Sequence, residues 1–285
     1  MSLRARITLI ISACFLAFAL LLFVEGRTRE HAVSTRMETT FSQGLSIAWS
    51  GLLAAERERL LRLTEKVRDN RDATAAFVAR NHDAFAAATI EFRTTLRASL
   101  RSMEMQAVRP DGMTFYATGR GGQRGVSPAI LPEESVRQIV TRAEVTDGVF
   151  RTRDGIAYAL AAPIFGRGGV AGLLVLYMPL DELAADLAKL LGARTLVVGP
   201  AGGAVTDGPD WLAETLAAQL ARPAGERDRL VRIDREETTW SVVLAPVEGP
   251  LADGLGIVGA ARDVTAEVRR QELFTRLSYF ALASA

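Results

Sequence analysis

The chain has 285 residues, 34 of them basic and 33 acidic, a net charge of +1, and 49% hydrophobic residues. This balance argues against a nucleic-acid binder, which needs a basic surplus or stripe. The length allows one large or two small domains beside an anchor, and the single cysteine, Cys14, excludes an intramolecular disulfide.

Ile7 to Val24 carries no charged residue, and as a helix it would span about 27 Å, close to the roughly 30 Å core of a bilayer. It reads as a transmembrane helix. The rival reading is a cleaved signal peptide, but the run exceeds a usual h-region and no small-x-small site comes after it. Arg4 and Arg6 before it match Arg27 and Arg29 after it, so basic residues do not orient it. A short inner tail and a long outer body is the commoner arrangement. It places the bulk of the chain in the periplasm at the inner membrane.

His31 to Arg68 lacks proline and reads as a long amphipathic helix, with a seam of Val33, Met37, Phe41, Leu45, Ala48, Leu52, Ala55, Leu63 and Val67. That seam could pack on the body or pair with a second copy as a homodimer. Asn70 and Asp72 can cap the next helix. Helices are predicted over Asp72 to Arg80 and Asp83 to Arg101, the second with a stripe of Phe85, Ala88, Phe92, Leu96 and Leu100. Arg93, Arg97 and Arg101 stand beside that stripe. They are either candidate anion ligands or a solvated face whose like charges repel.

Strands are predicted at Met103 to Val108 and Met113 to Thr118, joined by the turn Pro110-Asp111-Gly112. A glycine-rich loop, Gly119 to Gly125, leads to a helix from Pro132 to about Ala143, with Glu133 and Glu134 in its first turn. Three strands come next, Gly148 to Thr152, Ile156 to Ile164 and Val170 to Met178, with turns at Asp154-Gly155 and Arg167-Gly168-Gly169. Pro179 to Leu191 is an amphipathic helix. A second round begins at Ala193: a strand at Thr195 to Val198, a turn, a helix capped by Asp210 and ending near Leu220, and strands at Leu230 to Asp234, Thr238 to Pro246 and Leu255 to Arg262. The order strand, strand, helix, three strands is thus expected twice. Leu277 to Ala285 is uncharged but too short to span a bilayer. It reads as the start of a second membrane helix, or else as an amphipathic tail.

Antiparallel strands with segregated helices make an α+β fold. MQAVRPDGMTFYAT (Met105 to Thr118), YALAAPIFGRGGVAGLLVLYMPLDEL (Tyr158 to Leu183) and GIVGAARDVTAEVRRQ (Gly256 to Gln271) resemble, respectively, the first hairpin, the central strands and the exit strand of PAS-like Cache modules. The whole, over about residues 30 to 272, resembles the double-Cache sensor region of a bacterial transmembrane receptor. The resemblance implies a chemoreceptor, sensor histidine kinase or diguanylate cyclase that binds a small molecule outside the membrane and signals inward. It divides the chain into a tip and first membrane helix (1–27), a helical lead-in (28–101), a membrane-distal module (102–192), a membrane-proximal module (193–263), and an exit helix with the start of a second membrane helix (264–285). The alternative is a membrane-tethered scaffold that recognises a protein partner. The amino-acid-binding double Cache has an aromatic and arginine cluster with a later aspartate. That arrangement is not clear here, which weighs against an amino-acid ligand.

No catalytic, metal or cofactor signature is found. His31 and His82 have no ligand partners at metal spacing and read as surface residues. No G-x-S-x-G elbow exists, and Gly166, Gly168 and Ala171 precede a strand rather than the helix a dinucleotide fingerprint needs. In a PAS-like module the pocket lies between the sheet and the helix before the third strand. The candidate ligand residues are Tyr116, Arg153, Tyr158 and Tyr177, with Arg93 and Arg97 from the lead-in. Tyr158, Leu160 and Ala162 of one strand and Ala171, Leu173, Val175 and Tyr177 of the next are expected to line the pocket together. The competing reading is that the tyrosines only fill the core.

Overall fold

A computed structural model describes residues 39–98, 102–118, 128–152, 155–199, 209–223, 226, 230–247, 249–250, 256–270, 272–273 and 276. The expected membrane segments Ile7 to Val24 and Leu277 to Ala285 lie outside them. Among the described residues no helix is long and apolar enough to cross a membrane. The chain divides into two compact units, Leu45–Asp228 with Leu244–Ala260, and Met1–Gly44 with Arg229–Val243 and Ala261–Ala285.

Helix α1 covers residues 39–68. Its buried seam is Leu45, Trp49, Glu56, Leu60, Thr64 and Val67, which shares only Leu45 and Val67 with the expected stripe. Periodicity missed Glu56 and Thr64 because polar residues do not register in an apolar repeat, and it missed the apolar Trp49 and Leu60 as well. Thr64 is accommodated by donating its hydroxyl to the Leu60 carbonyl at 2.8 Å. Helix α2 (Arg71–Val78) starts where Asn70 accepts from the Ala73 N–H at 3.1 Å. The single helix expected over Asp83 to Arg101 is two, α3 (His82–Ala88), capped by Asn81, and α4 (Ile90–Ala98). The break falls at Thr89, whose hydroxyl donates to the Phe85 carbonyl at 2.8 Å.

Five antiparallel strands come next in the chain: β1 (Glu104–Val108), β2 (Thr114–Ala117), β3 (Thr146–Thr152), β4 (Gly155–Gly166) and β5 (Gly169–Pro179), in the order β2-β1-β5-β4-β3. Helix α5 (Glu133–Arg142) comes between β2 and β3, with Pro132 at its N-cap. Both faces of the sheet are covered. On one, Val108, Phe150, Ala159, Ala161, Leu173 and Val175 form a core with Val136 and Ile139 of α5 and with residues 129–131. Each large apolar side chain buried there contributes about 1.5–3 kcal/mol. The opposite face carries Met105, Tyr158, Leu160, Leu174, Leu176 and Met178, all buried. There Phe77 of α2 lies so close to Gly172 of β5 that a Cβ would sit 2.6 Å from its ring. α1 reaches the same face through Leu53, whose carbonyl meets Tyr158.

Helix α6 (Leu180–Leu191) leads to a second sheet: β6 (Arg194–Val198), β7 (Leu230–Arg235), β8 (Thr238–Val247) and β9 (Gly256–Asp263), in the order β6-β9-β8-β7. α7 (Asp210–Leu220) comes between β6 and β7. Asp210 is its first helical residue rather than its cap, because Pro209 takes the N-cap position. Among the described residues one strand of this second sheet, not two, precedes α7. Gly259 of β9 lies under Leu216 of α7, where a Cβ would sit at 2.8 Å. Helix α8 (265–270) comes after β9.

Gly172 is the tightest point of the first sheet, since an added Cβ would also lie 2.3 Å from the Val108 carbonyl oxygen. Gly172→Ala is expected to cost about 3 kcal/mol through overpacking, lowering Tm by on the order of 5–10 °C in circular-dichroism melts.

Candidate functional site

The strand register decides which candidate residues meet. Tyr158 pairs with Met178 and Ala159 with Tyr177. Successive side chains alternate between faces, so Tyr158 and Tyr177 point to opposite sides of the sheet. The expected single pocket wall therefore divides: Leu173, Val175 and Tyr177 face α5, while Tyr158, Leu160 and Ala162 face the N-terminal helices. Arg153 and the side chain of Arg97 lie outside the described residues.

Tyr158 is buried, and its hydroxyl lies 3.1 Å from the Leu53 carbonyl of α1 and 3.2 Å from Asp147 Oδ2. One hydroxyl hydrogen serves these two acceptors. The second Asp147 oxygen, Oδ1, accepts from Arg57 Nε of α1 at 2.9 Å. β3 and β4 thus grip one turn of α1 through a carbonyl and a guanidinium at once. Burial and the Asp147 charge both push the Tyr158 hydroxyl's pKa well above its usual value. Gly148, next to Asp147, has φ +137° and a Cβ there would meet Pro250 at 2.9 Å, so only glycine suits that position.

Tyr116 lies at a second cluster. In the pairing of β1 with β2, Ala107 opposes Tyr116 and Val108 opposes Thr114, so Phe115 is an extra, bulged residue. Phe115 and Tyr116 both pack on α3: Phe85 lies 5.6 and 5.3 Å from their ring centroids, and His82 lies 5.9 and 5.3 Å away. Arg93 of α4 sits 6.0 Å from the Tyr116 ring centroid and donates to the Ala86 carbonyl at 3.0 Å. Of the four candidates whose side chains are described, Tyr116 and Arg93 are the pair brought together. His82 is half-buried among these rings rather than a surface residue.

Tyr177 is half-buried on the α5 face and donates a short hydrogen bond to Glu104 of β1. At the far end of the chain, Asp263 Oδ1 accepts from the Thr265 N–H at 2.9 Å and from its hydroxyl at 2.5 Å. The Thr265 hydroxyl in turn accepts from the Thr239 N–H at 2.9 Å, the Val264 N–H donates to the Thr239 carbonyl at 2.8 Å, and Arg269 donates to the Glu237 carbonyl at 3.1 Å. The start of α8 is thereby fixed to the β7–β8 hairpin. The bonds from Thr265 hold Asp263 below the usual carboxylate range.

The residues that sequence reasoning missed are Leu53, Arg57, Glu104 and Asp147. Leu53 acts through its backbone and leaves no side-chain signal. Among the described residues, no group of three or more His, Cys, Asp or Glu could hold a metal ion.

The chain is similar to the ligand-binding domain of the Pseudomonas fluorescens chemoreceptor CtaA in complex with L-isoleucine, at 13% identity and TM-score 0.53, over 83% of this chain and 96% of that one. It shares the fold of that domain. The extracellular domain of a protein named as the histidine kinase vpHK1S-Z8 is similar at 10% identity and TM-score 0.50, over 84% and 96% of the two chains. The periplasmic domain of Vibrio cholerae LuxQ matches at 11% identity and TM-score 0.48, over 79% and 99%. No protein-family model matches the sequence, and no curated protein matches it. The fold agrees with the double-Cache resemblance of the sequence.

Two outcomes test this geometry. Tyr158→Phe is expected to cost about 1–2 kcal/mol, because it removes a buried hydroxyl and leaves the polar groups around it one donor short. A tyrosine whose pKa is raised on folding gives stability that is complete below the unfolded value near 10 and is lost as pH climbs beyond it. Denaturant melts across that alkaline range should therefore fall more steeply for the wild type than for Tyr158→Phe. Asp263→Ala should unfasten the first turn of α8, read as faster hydrogen exchange at the Val268 amide, which donates to Val264.

Proposed function

We propose that this chain is the extracytoplasmic sensing region of a transmembrane signalling receptor of the inner membrane, and that it binds a small molecule and passes the event across the bilayer. The observation that carries the reading is the likeness to the chemoreceptor domain, which extends over 83% of this chain and 96% of that one. That domain is in complex with an amino acid, which supports a small molecule as the ligand here.

In this reading residues 102–192 are the membrane-distal module, 193–263 the membrane-proximal one, and Ile7 to Val24 the first membrane helix. Two copies pair along α1. The ligand site is assigned to the α5 face, where Tyr177 and Glu104 supply a polar edge beside the apolar core. Tyr158 acts as the clamp between sheet and α1, and Tyr116 with Arg93 positions α3. A ligand that prefers one arrangement of α5 on the sheet shifts the balance between two packings by its difference in affinity for them. The opposite face of the same strands grips α1 at Leu53 and Arg57, so that shift bears on the helix that leads to the membrane. This segment needs no catalytic chemistry of its own; an enzymatic output would belong to another domain.

The test is a thermal-shift panel of amino acids, carboxylates, amines and sugars against the purified chain. A ligand at about 100 times its Kd adds about 2.7 kcal/mol, so at least one class should raise Tm by several degrees. Tyr177→Phe and Glu104→Gln should reduce that shift. A uniformly flat panel would instead favour the scaffold that recognises a protein partner.

A further inference from the structure

A groove of about 230 Å³ runs between α1 and α4, lined by Arg59, Arg62, Leu63, Lys66, Thr95 and Leu96. It stands apart from the α5 face and does not depend on which ligand that face takes. We propose that it binds a small aliphatic carboxylate, with the head group on Arg59, Arg62 and Lys66 and the chain along Leu63 and Leu96.

The helix places the cations. Residues 59, 62 and 66 are spaced by three and four, so they line one side of α1. Three positive charges at that spacing repel one another. The nearby carboxylates only partly offset this. Glu56 lies 3.7 Å from Arg59 and Glu58 lies 3.6 Å from Arg62, both beyond hydrogen-bond length, and the Arg62–Glu58 pair is mostly exposed and therefore screened. The helix dipole accounts for a cation in the last turn, where Lys66 lies, but its reach ends before Arg59 and Arg62. A ligand carboxylate would supply the missing counter-charge, and guanidinium groups suit it geometrically.

The floor selects the rest of the molecule. Leu96 is buried and Leu63 half-buried, and the arginine and lysine stems add methylenes. Thr95 offers no donor, because its hydroxyl hydrogen goes to the Glu91 carbonyl at 3.0 Å. A hydrated inorganic anion gains little from such a floor, whereas an alkyl chain gains from each methylene removed from water. Drug-sized pockets hold roughly 300–1,000 Å³, so this groove fits a smaller molecule with a short chain.

The experiment is isothermal titration calorimetry of the full chain in nanodiscs, with empty-nanodisc blanks subtracted. The probes are sodium butanoate, hexanoate and octanoate, with sulfate and octanol as controls. The Kd is expected to fall by about fourfold for each methylene that the groove buries, and octanol should bind at least tenfold more weakly than octanoate. Arg62→Gln, at a side chain 67% exposed, leaves folding untouched and should weaken octanoate binding at least fivefold; Arg59→Gln/Arg62→Gln should abolish it. The proposal is overturned if octanoate gives no heat above the blank. It is equally overturned if sulfate binds as tightly as octanoate with no dependence on chain length, or if Arg62→Gln and the double variant bind octanoate like the wild type.

Discussion

The hairpin of β4 and β5 is buried on both sides, and the rest of the first sheet is arranged around that fact. Its ten paired positions run from Ala157–Pro179 to Gly166–Gly169. Leu173 and Val175 face α5, while Leu174, Leu176 and Met178 face the opposite way, and all five are buried. A strand pair apolar on both faces must have a layer on each. The chain supplies α5 to one side and the N-terminal helices to the other. A one-residue slip would exchange every contact of the two layers, so the register that fixes the fold also fixes which layer each functional side chain meets.

That arrangement separates the ligand face we propose from the side chains that hold α1. Tyr177 and Glu104 belong to the α5 layer, and Tyr158, Asp147 and Arg57 belong to the helix layer. The two groups sit back to back on neighbouring strands. Closely packed interiors convey strain better than they absorb it, which is the physical basis of the coupling we propose between the α5 face and the grip on α1. The anchoring of α8 to the β7–β8 hairpin gives the chain a second fixed joint between a sheet and a helix that leaves it.

Much of the fold was legible in the sequence because its central strands are apolar and the turns that bound them carry glycine. β4, β5, α5 and α6 fall within two residues of their expected bounds. The site was less legible. β3 begins at Thr146 rather than Gly148, and the two missed residues include Asp147, because aspartate and glycine are poor strand formers and tertiary pairing overrode that preference. The pocket wall was misjudged because an apolar strand gives no period from which to read its faces, so residues on opposite sides looked equivalent. The break at Thr89 and the buried Thr64 escaped for a related reason: a polar residue inside a helix signals exposure until its hydrogen bond is seen.

Gly51 lies two residues before the carbonyl that Tyr158 holds, and a Cβ there would meet nothing within 4 Å. No crowding demands glycine at that point, and within a helix it costs roughly 1 kcal/mol relative to alanine. The rod is therefore weakened immediately ahead of its fastening. The hold of Tyr158 and Asp147 on Leu53 and Arg57 falls just beyond that weak point, where it steadies the helix.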